Sequence, residues 1–283
     1  MVTSQLATVA SLLACPECGD SLVVRDRSLF CAHGHSFDIA RQGYVSLLTG
    51  ASTKMSGDTA AMLEARAAFQ DARHFAPIAE SVATIVRADE RPTRSILEIG
   101  AGTGYYLAAA LDAAPDARGI ALDVSKPAAR RGARAHPRAA AILADVWRGL
   151  PILDGGLDHV LSVFAPRNAD EVARVLAPGG HFIVVTPTTR HLSELIKPLA
   201  MIGVDATKDD RLAETMSAHF TRVDSALVEY PMKLTHPDIA NVVAMGPSAH
   251  HATDPRAGLI AALPEAMTVT ASVTLSRYRP NPK

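Results

Sequence analysis

Residues 95–104 read Ser-Ile-Leu-Glu-Ile-Gly-Ala-Gly-Thr-Gly, an apolar run that ends directly in the glycines Gly100, Gly102 and Gly104. A strand that passes at once into glycines is typical of α/β domains, because glycines permit a tight turn before a helix and let a ligand approach the backbone. The spacing is Gly-x-Gly-x-Gly, with Glu98 just before the loop. A carboxyl group there disfavours a pyrophosphate and suits a ligand that carries an ammonium group.

Strand-like and helical segments alternate from residue 95 onward. Apolar runs between helical stretches predict a parallel sheet covered on both faces. Two later strand-like runs are expected to complete one edge, with one antiparallel member. The sequence therefore predicts a doubly wound α/β domain whose ligand lies beyond the carboxyl ends of the first strands. The predicted strands are 95–99, 119–123, 139–143, 157–164, 181–186, 222–230 and 267–278.

Two aspartates follow the strands next to the glycine loop. Asp123 ends the second predicted strand, where a carboxylate can accept both hydroxyl groups of a ribose. Asp145 ends the third strand, where it is expected either to receive an adenine amine or to cap a helix. With Glu98 and the glycines, these carboxylates fit a single nucleoside ligand.

All three cysteines lie near the amino terminus, in the pattern Cys-x2-Cys-x12-Cys-x3-His. Cys15, Cys18, Cys31 and His35 can close a tetrahedron around Zn²⁺. His33 is the alternative fourth ligand, although the longer spacing favours His35. Four protein ligands leave no open coordination position, so the sequence predicts a structural zinc site rather than a catalytic one. The alternative is that the three cysteines are buried core residues that bind no metal.

Composition and organisation indicate an enzyme with an accessory module. The net charge of −1 over 283 residues provides no global basic field for nucleic acid. The first residues lack a secretory pattern, and the apolar runs are too short to cross a membrane, so a cytoplasmic location is expected. We predict a zinc module over 1–50, a linker and helices over 51–94, and the α/β domain over 95–283. Asp58 is expected to cap a helix over 58–74, and a second helix is expected over 76–87.

The nucleoside-binding pattern resembles that of class I S-adenosylmethionine-dependent methyltransferases, with a Rossmann-like fold. In that superfamily the methyl acceptor lies over the segment after the fourth strand, here Phe164-Ala165-Pro166-Arg167-Asn168. The amide of Asn168 is expected either to hold the acceptor or to cap the next helix.

The zinc ligands and residues 37–48, Phe-Asp-Ile-Ala-Arg-Gln-Gly-Tyr-Val-Ser-Leu-Leu, extend the resemblance to one family. Together they resemble the bacterial 23S rRNA guanine-N1 methyltransferases, over nearly the whole chain. Residues 125–137 and 144–147 look closest to the branch associated with resistance to tylosin-type macrolides. The resemblance implies methylation of a guanine in the domain II hairpin, with two neighbouring guanines as alternatives, and a homodimer. Further matching residues are Gly57, Asp58, Met62, Ala65, Arg66, His74 and Phe75.

The same resemblance implies roles for individual residues. Gly102, Thr103 and His191 match positions that contact the cofactor, and Phe75 stands where relatives often have tyrosine. Transfer to guanine N1 requires a base for the departing proton. Asp58 and Asp170 are candidates, and the base stays unassigned.

Two local groups of basic residues are candidates for RNA contacts. One lies beside the zinc ligands, and the other on a helix and its exit. Two alternative functions remain: a small-molecule methyltransferase with a zinc lid, and a zinc-ribbon scaffold without catalysis. The two basic groups are Arg25, Arg27 and Arg41, and Lys126, Arg130, Arg131, Arg134 and Arg138.

Overall fold

The computed structural model describes residues 2–50, 53, 55–204, 215–246 and 256–282. The chain begins with helix α1 (Val2–Val9) and continues into a small antiparallel sheet of β1 (Val23–Arg25), β2 (Ser28–Phe30) and β3 (Ser36–Asp38). The predicted zinc ligands lie in the two loops of this unit, one before β1 and the other between β2 and β3.

A second, larger sheet forms the centre of the molecule. Its strands are short and apolar at the middle and long at one end. In chain order they are β4 (Tyr44–Ser46), β5 (Ser95–Ile99), β6 (Arg118–Asp123), β7 (Ala139–Leu143), β8 (Leu157–Val163), β9 (Leu176–Pro187), β10 (Phe220–Thr235) and β11 (Ala266–Pro280).

The large sheet is doubly wound, as the sequence predicts. Within the described ranges it has eight strands in the order β10-β11-β9-β8-β5-β6-β7-β4. Strands β4 to β9 pair in parallel, whereas β11 is antiparallel to both of its neighbours, β9 and β10. The expectation of one antiparallel member near an edge is confirmed.

Helices cover both faces of the large sheet. In β5, Ile96 packs into one core, whereas Leu97 and Ile99 pack into the other, because successive side chains of a strand point to opposite faces. None of the helices in the described ranges is long and apolar enough to span a membrane. The helices are α2 (Ala60–Asp71), α3 (Ala76–Arg87), α4 (Tyr105–Ala113), α5 (Lys126–Gly132), α6 (Ala169–Val175), α7 (Ser193–Ile196), α8 (His236–Ala244) and α9 (Arg256–Ala261).

Helix α2 begins one residue later than the sequence suggests. The prediction that Asp58 caps this helix is wrong. The side chain of Thr59 accepts the N–H of Met62 and caps the first turn. Asp58 instead pairs with Arg66, nearly two turns into the helix. The linker predicted before this helix includes residues 51, 52 and 54, which lie outside the described ranges.

The predicted boundary at residue 50 does not coincide with a boundary in packing. Strand β4 pairs in parallel with β7, joining Tyr44 to Ala141 and Ser46 to Leu143. Tyr44 and Val45 are both buried. Because consecutive side chains of a strand point to opposite faces, this short strand is buried on both faces as part of the large sheet. The segment that follows the zinc ligands is therefore part of the main domain.

Two buried histidines lie side by side in β8 and β9. His159 and His181 are direct partners in the sheet register, and their rings stack with centroids 5.8 Å apart. An Asp89 Oδ2 atom lies 2.9 Å from His181 Nδ1 and 3.5 Å from His159 Nε2. Burial lowers the pKa of both histidines, that of His159 to about 4, so both rings are neutral near pH 7.

This histidine pair predicts a loss of stability in mild acid. Because the folded pKa of His159 is depressed, the unfolded chain binds a proton as the pH falls below about 6.5, whereas the folded chain does not until about 4. At pH 5.5 the cost should be about 1 kcal/mol of unfolding free energy. Urea titrations at pH 7.5 and 5.5 should show this difference, and it should shrink in His159→Asn. An unchanged difference in the variant would remove His159 as the cause.

Candidate active site and metal centre

A cavity of about 880 Å³ lies at the carboxyl ends of the central strands. Ligands of doubly wound sheets bind at this position. The cavity collects residues from the glycine loop, the ends of β6, β7 and β8, and helix α2. Of the residues predicted to bind a cofactor, those that line it are Phe75, Glu98, Gly100, Thr103, Asp123, Asp145 and His191.

The glycine loop is shaped by close approaches as well as by its turn. Gly100 has a φ of +64°, and a Cβ atom there would lie 2.7 Å from Cβ of Ala165. Gly104, at a φ of +76°, would place a Cβ atom 2.5 Å from Cβ of Ala135. Gly100 therefore lets the acceptor segment approach the loop, and Gly104 serves the packing of the loop against the exit of α5.

The carboxylate of Asp123 organises the floor of the cavity. One of its oxygens accepts the N–H of Gly102 at 2.9 Å, and the other accepts the N–H of Ser125 at 2.8 Å. Burial raises the pKa of Asp123 above its usual range, while these two N–H donors act in the opposite direction. The side chain is thereby held in one orientation at the cavity wall, where a ribose can reach its remaining lone pairs.

Glu98 lies deeper than the sequence suggests. Its side chain is 1% exposed and accepts the N–H of Leu107, at the first turn of α4, at 3.0 Å. Burial raises the pKa of Glu98 to about 8, so the carboxyl group is largely protonated near pH 7. Glu98 therefore anchors the helix that follows the glycine loop, with its carboxyl group at the cavity wall.

Asp145 has the capping role that was one of its two predicted roles. One carboxylate oxygen accepts the N–H of Trp147, and the other accepts the hydroxyl of Thr53 at 2.6 Å. The neighbouring Trp147 is 53% exposed and also lines the cavity. Contact of Asp145 with an adenine amine stays a prediction.

Three aromatic rings form the wall at the end of β8. The ring of Phe164 lies 6.0 Å from that of Phe75 and 5.6 Å from that of His191, measured between centroids. Phe164 has a φ of +54°, in the left-handed region that is strained for a bulky residue, and it is 39% exposed. Such strain at a cavity wall is typical of a functional position.

His191 is a neutral imidazole in this wall. Its Nδ1 atom accepts the N–H of Ser272 at 3.2 Å, which leaves the proton on Nε2. Burial lowers the pKa of His191 to about 4. The ring can therefore donate one hydrogen bond to a ligand.

The three catalytic candidates differ in where they lie. Asn168 caps α6 by accepting the N–H of Glu171, and its amide donates to the carbonyl of Val146. Asp170 is 76% exposed and pairs with His219, away from the cavity lining. Only Asp58 lines the cavity, and its carboxylate is paired with Arg66. The structure thus supports the capping role of Asn168.

Sequence reasoning assigned no contacts to several residues that line the cavity. Arg66 and Gln70 lie four residues apart on α2, and the hydroxyl of Thr103 donates to the side-chain oxygen of Gln70 at 2.7 Å. Met62, Arg66 and Gln70 are each four residues apart, so they lie on one face of α2. This spacing could have predicted from sequence that Arg66 and Gln70 face the cavity. Tyr106 and Trp147 have no comparable signal in sequence.

The zinc ligands meet at one point. The donor atoms of Cys15, Cys18, Cys31 and His35 all lie within 4.8 Å of one another. The Nδ1 atom of His35 is 3.5 Å from Sγ of Cys15 and 3.3 Å from Sγ of Cys31, and the Sγ atoms of Cys18 and Cys31 are 3.7 Å apart. A tetrahedron with Zn–S bonds of about 2.3 Å has edges of about 3.7 Å, so the donor set fits Zn²⁺.

The choice between the two histidines follows from this geometry. His33 pairs with Asp20 at 2.8 Å and is 66% exposed, and its donor atom groups with those of Cys18 and Asp20 rather than with all three cysteines. His35 is the fourth ligand. Although burial raises the pKa of the Cys31 thiol, the backbone N–H groups of His35 and His33 outweigh it and lower that pKa to about 6, which favours the thiolate that binds metal.

A groove of about 340 Å³ lies between the zinc module and the main domain. Its walls come from residues 14–19 on one side and residues 144–154 on the other. Ala144 and Asp145 line both the groove and the main cavity. The groove and the candidate active site therefore adjoin just after β7.

Comparison with known proteins agrees with both parts of this arrangement. Residues 13–56 match a family model described as the RlmA amino-terminal zinc ribbon, and residues 96–180 match one described as a methyltransferase domain. A solved structure of a Bacillus halodurans protein has a similar fold, with a TM-score of 0.51 and 16% identity over 72% of this chain and 99% of that one.

Two relatives are similar over almost their full lengths. The 23S rRNA (guanine(748)-N1)-methyltransferase of Streptomyces fradiae is 46% identical over 277 residues, which cover 97% of this chain and 99% of that protein. A protein of Micromonospora griseorubida, provisionally named as a 23S rRNA (guanine-N1)-methyltransferase, is 47% identical over 288 residues, covering 95% and 97%. The chain therefore belongs to the family of 23S rRNA (guanine-N1)-methyltransferases that carry an amino-terminal zinc ribbon.

Proposed function

We propose that this enzyme transfers a methyl group from S-adenosylmethionine to N1 of a guanine in 23S rRNA. The observation that carries the proposal is a zinc donor set and a cavity at the strand ends in one chain, beside a groove that shares Ala144 and Asp145 with the cavity. The chain is 46% and 47% identical to relatives named for that reaction. Guanine 748, in the domain II hairpin, is the position we propose, with the neighbouring guanine as the alternative.

The cavity residues suit a reaction that depends on positioning. When bound, S-adenosylmethionine supplies an electrophilic methyl group on a sulfonium. Asp123 is placed to hold a ribose, and the glycine loop leaves room for the rest of the ligand. Phe164 is placed to orient a flat acceptor beside His191, the proposed cofactor contact, and such positioning supplies much of the rate enhancement of a displacement. The base that takes the N1 proton stays unassigned.

Basic side chains on the surface support an RNA substrate. Arg25, Arg27 and Arg41 are exposed on the zinc module, and Lys126, Arg130, Arg131 and Arg134 are exposed on and after α5. Arg138 is an exception to the predicted group. Its guanidinium donates to the carbonyls of Leu111, Ala114, Pro115 and Ala117, so it ties down the end of α4.

The organisation and setting of the enzyme form part of the same proposal. Residues 1–50 would recognise RNA, and residues 95–283 would hold most of the cofactor. Residues 51–94 would link the two parts and contribute α2 to the cavity wall. A homodimer that cradles the hairpin and a cytoplasmic location complete this description. Light scattering on the purified protein tests the dimer, for which the expected mass is twice 29.9 kDa.

Labelled methyl transfer tests the reaction. Purified enzyme is incubated with methyl-labelled S-adenosylmethionine and either naked 23S rRNA or a transcript of the domain II hairpin. Because a methyl group on N1 blocks the Watson–Crick edge of guanine, primer extension should stop at the modified base. The position of the stop distinguishes guanine 748 from its neighbour. Expression in a macrolide-sensitive host then tests whether the modification supports tylosin resistance.

The same assay separates the alternatives. Label that enters only small molecules would favour a small-molecule methyltransferase in which the zinc module is a lid. A protein that neither transfers label nor binds S-adenosylmethionine in calorimetry would be a scaffold without catalysis. Either result would overturn the proposed reaction.

Phe164 offers a prediction about the acceptor. We expect Phe164→Ala to reduce methyl transfer to RNA by roughly 5- to 100-fold, because stacking of a base on an aromatic ring contributes about 1–3 kcal/mol. Phe164→Tyr keeps a flat ring and should retain most of the activity. Calorimetry with S-adenosylhomocysteine checks that the cofactor affinity changes far less. Full activity of the alanine variant would exclude stacking on this ring.

A further inference from the structure

Arg66 is a charged residue at the cavity to which none of the roles above applies. Its side chain is 24% exposed, and its guanidinium is held by two parts of the molecule. One terminal nitrogen pairs with Asp58, and the other donates to the carbonyl of Met245 at 2.9 Å, just after α8. The guanidinium is therefore oriented before any ligand arrives.

Arg66 lies directly over the glycine loop. Its nearer terminal nitrogen is 2.7 Å from the point that a Cβ atom on Gly102 would occupy. Gly102 has a φ of +55°, so a side chain there would be strained as well as blocked. The absence of a side chain at position 102 thus makes room for a cation, and the loop and the guanidinium form one surface.

The cavity has an excess of acidic groups around this cation. The carboxyl groups of Asp58, Glu98, Asp123 and Asp145 line it, that of Glu98 largely protonated near pH 7. Burial raises the pKa values of Glu98 and Asp123, and the positive charge of Arg66 acts against this rise. In the part of the chain that the structure describes, Arg66 and Arg167 are the lysine or arginine residues in the lining. Arg167 follows β8 on the acceptor side, whereas Arg66 faces the loop. An anionic group of a ligand at the loop would meet Arg66.

The expected orientation of the cofactor supplies such a group. Asp123 is placed for the ribose, and Asp145 and Trp147 flank the space beyond β7 for the adenine. The methionine part must then extend in the other direction, over the loop. We propose that Arg66 binds the α-carboxylate of this methionine part, an inference that rests on the cofactor assignment in the proposed function. A bare ion pair that only fastens α2 to α8 is the competing explanation.

Calorimetry with two ligands distinguishes these explanations. S-adenosylhomocysteine carries the α-carboxylate, whereas its decarboxylated analogue, S-adenosyl-3-thiopropylamine, keeps the amine and lacks the carboxylate. We expect wild-type enzyme to bind the first roughly 10- to 100-fold more tightly, as for a hydrogen bond between charged groups. Arg66→Gln should lose this preference by weakening the first ligand alone. Arg66→Lys, which keeps the charge and fills similar space, should retain part of it.

Arg73→Gln is the matched control, because it removes the same charge just beyond the end of α2 from a side chain that is 74% exposed. It should bind both ligands as the wild type does. Equal affinity of wild type for the two ligands would overturn the inference without any variant, and so would an equal loss of both in Arg66→Gln. If wild-type enzyme binds neither S-adenosylmethionine nor S-adenosylhomocysteine, the cofactor assignment itself fails.

Discussion

Cys18→Ser should release zinc from the enzyme and abolish most of its activity on RNA while leaving the cofactor cavity intact. Removing one of four ligands should weaken zinc by more than the roughly 10–100-fold typical of losing a residue that merely supports a ligand. Residues 1 to about 45 should then lose their fold, since the small sheet has three strands of three residues each. Metal analysis by mass spectrometry reports the zinc, and labelled transfer to the hairpin reports the activity.

Two histidine variants serve as controls for the cysteine variant. His35→Asn removes the fourth ligand and should also lose zinc, whereas His33→Asn changes an exposed neighbour that pairs with Asp20 and lies outside the group of four donors, and it should keep the metal. Binding of S-adenosylhomocysteine should be nearly unchanged in all three proteins. A zinc-free Cys18→Ser enzyme with full activity on RNA would contradict the role given to the zinc module.

Asp123→Ala should produce the largest loss at the cofactor end. The carboxylate holds the backbone at Gly102 and Ser125 and is placed to accept two ribose hydroxyls. Each hydrogen bond to a charged group contributes about 1.5–3 kcal/mol, so the affinity for S-adenosylhomocysteine should fall by about 100-fold or more. Calorimetry measures the affinity, and thermal unfolding checks that the fold survives.

An exposed aspartate controls for the removal of a charge. Asp112 lies on α4 with 75% of its side chain exposed, and Asp112→Ala should bind the cofactor as the wild type does. Asp123→Asn keeps one acceptor oxygen and should lie between the wild type and Asp123→Ala. An alanine variant that binds as tightly as the wild type would remove Asp123 from the site.

Local patterns predicted the elements of the main domain well. The strands at residues 95–99 and 139–143 and the helix at residues 76–87 have the predicted bounds. Residues 139–143 are apolar throughout, residues 95–99 are apolar except at Ser95 and Glu98, and residues 76–87 carry apolar side chains at helical spacing. In such segments local preference and tertiary burial favour the same structure, so the hydrophobic pattern alone is sufficient to predict the element and its bounds.

Capping residues were harder to predict because several polar side chains compete for the same N–H groups. Asp58 and Thr59 are adjacent and both are good caps, and only the packed structure shows that Arg66 engages Asp58 and leaves the cap to Thr59. Asp58 was predicted to be a cap and is not one, whereas Asn168, which could also have held the acceptor, caps α6. Local sequence contains no information on which distant partner arrives.

The sequence by itself determined the three cysteine ligands and the two candidate histidines, the order of strands and helices, and the positions of the glycine loop and Asp123, because each depends on spacing along the chain. Only the tertiary structure decided that β4 joins the large sheet, that His35 rather than His33 meets the cysteines, and that Arg66 lies over Gly102. These contacts join residues far apart in sequence or depend on the direction of a side chain. They are set by the packing of the whole molecule, and a local sequence pattern does not contain that information.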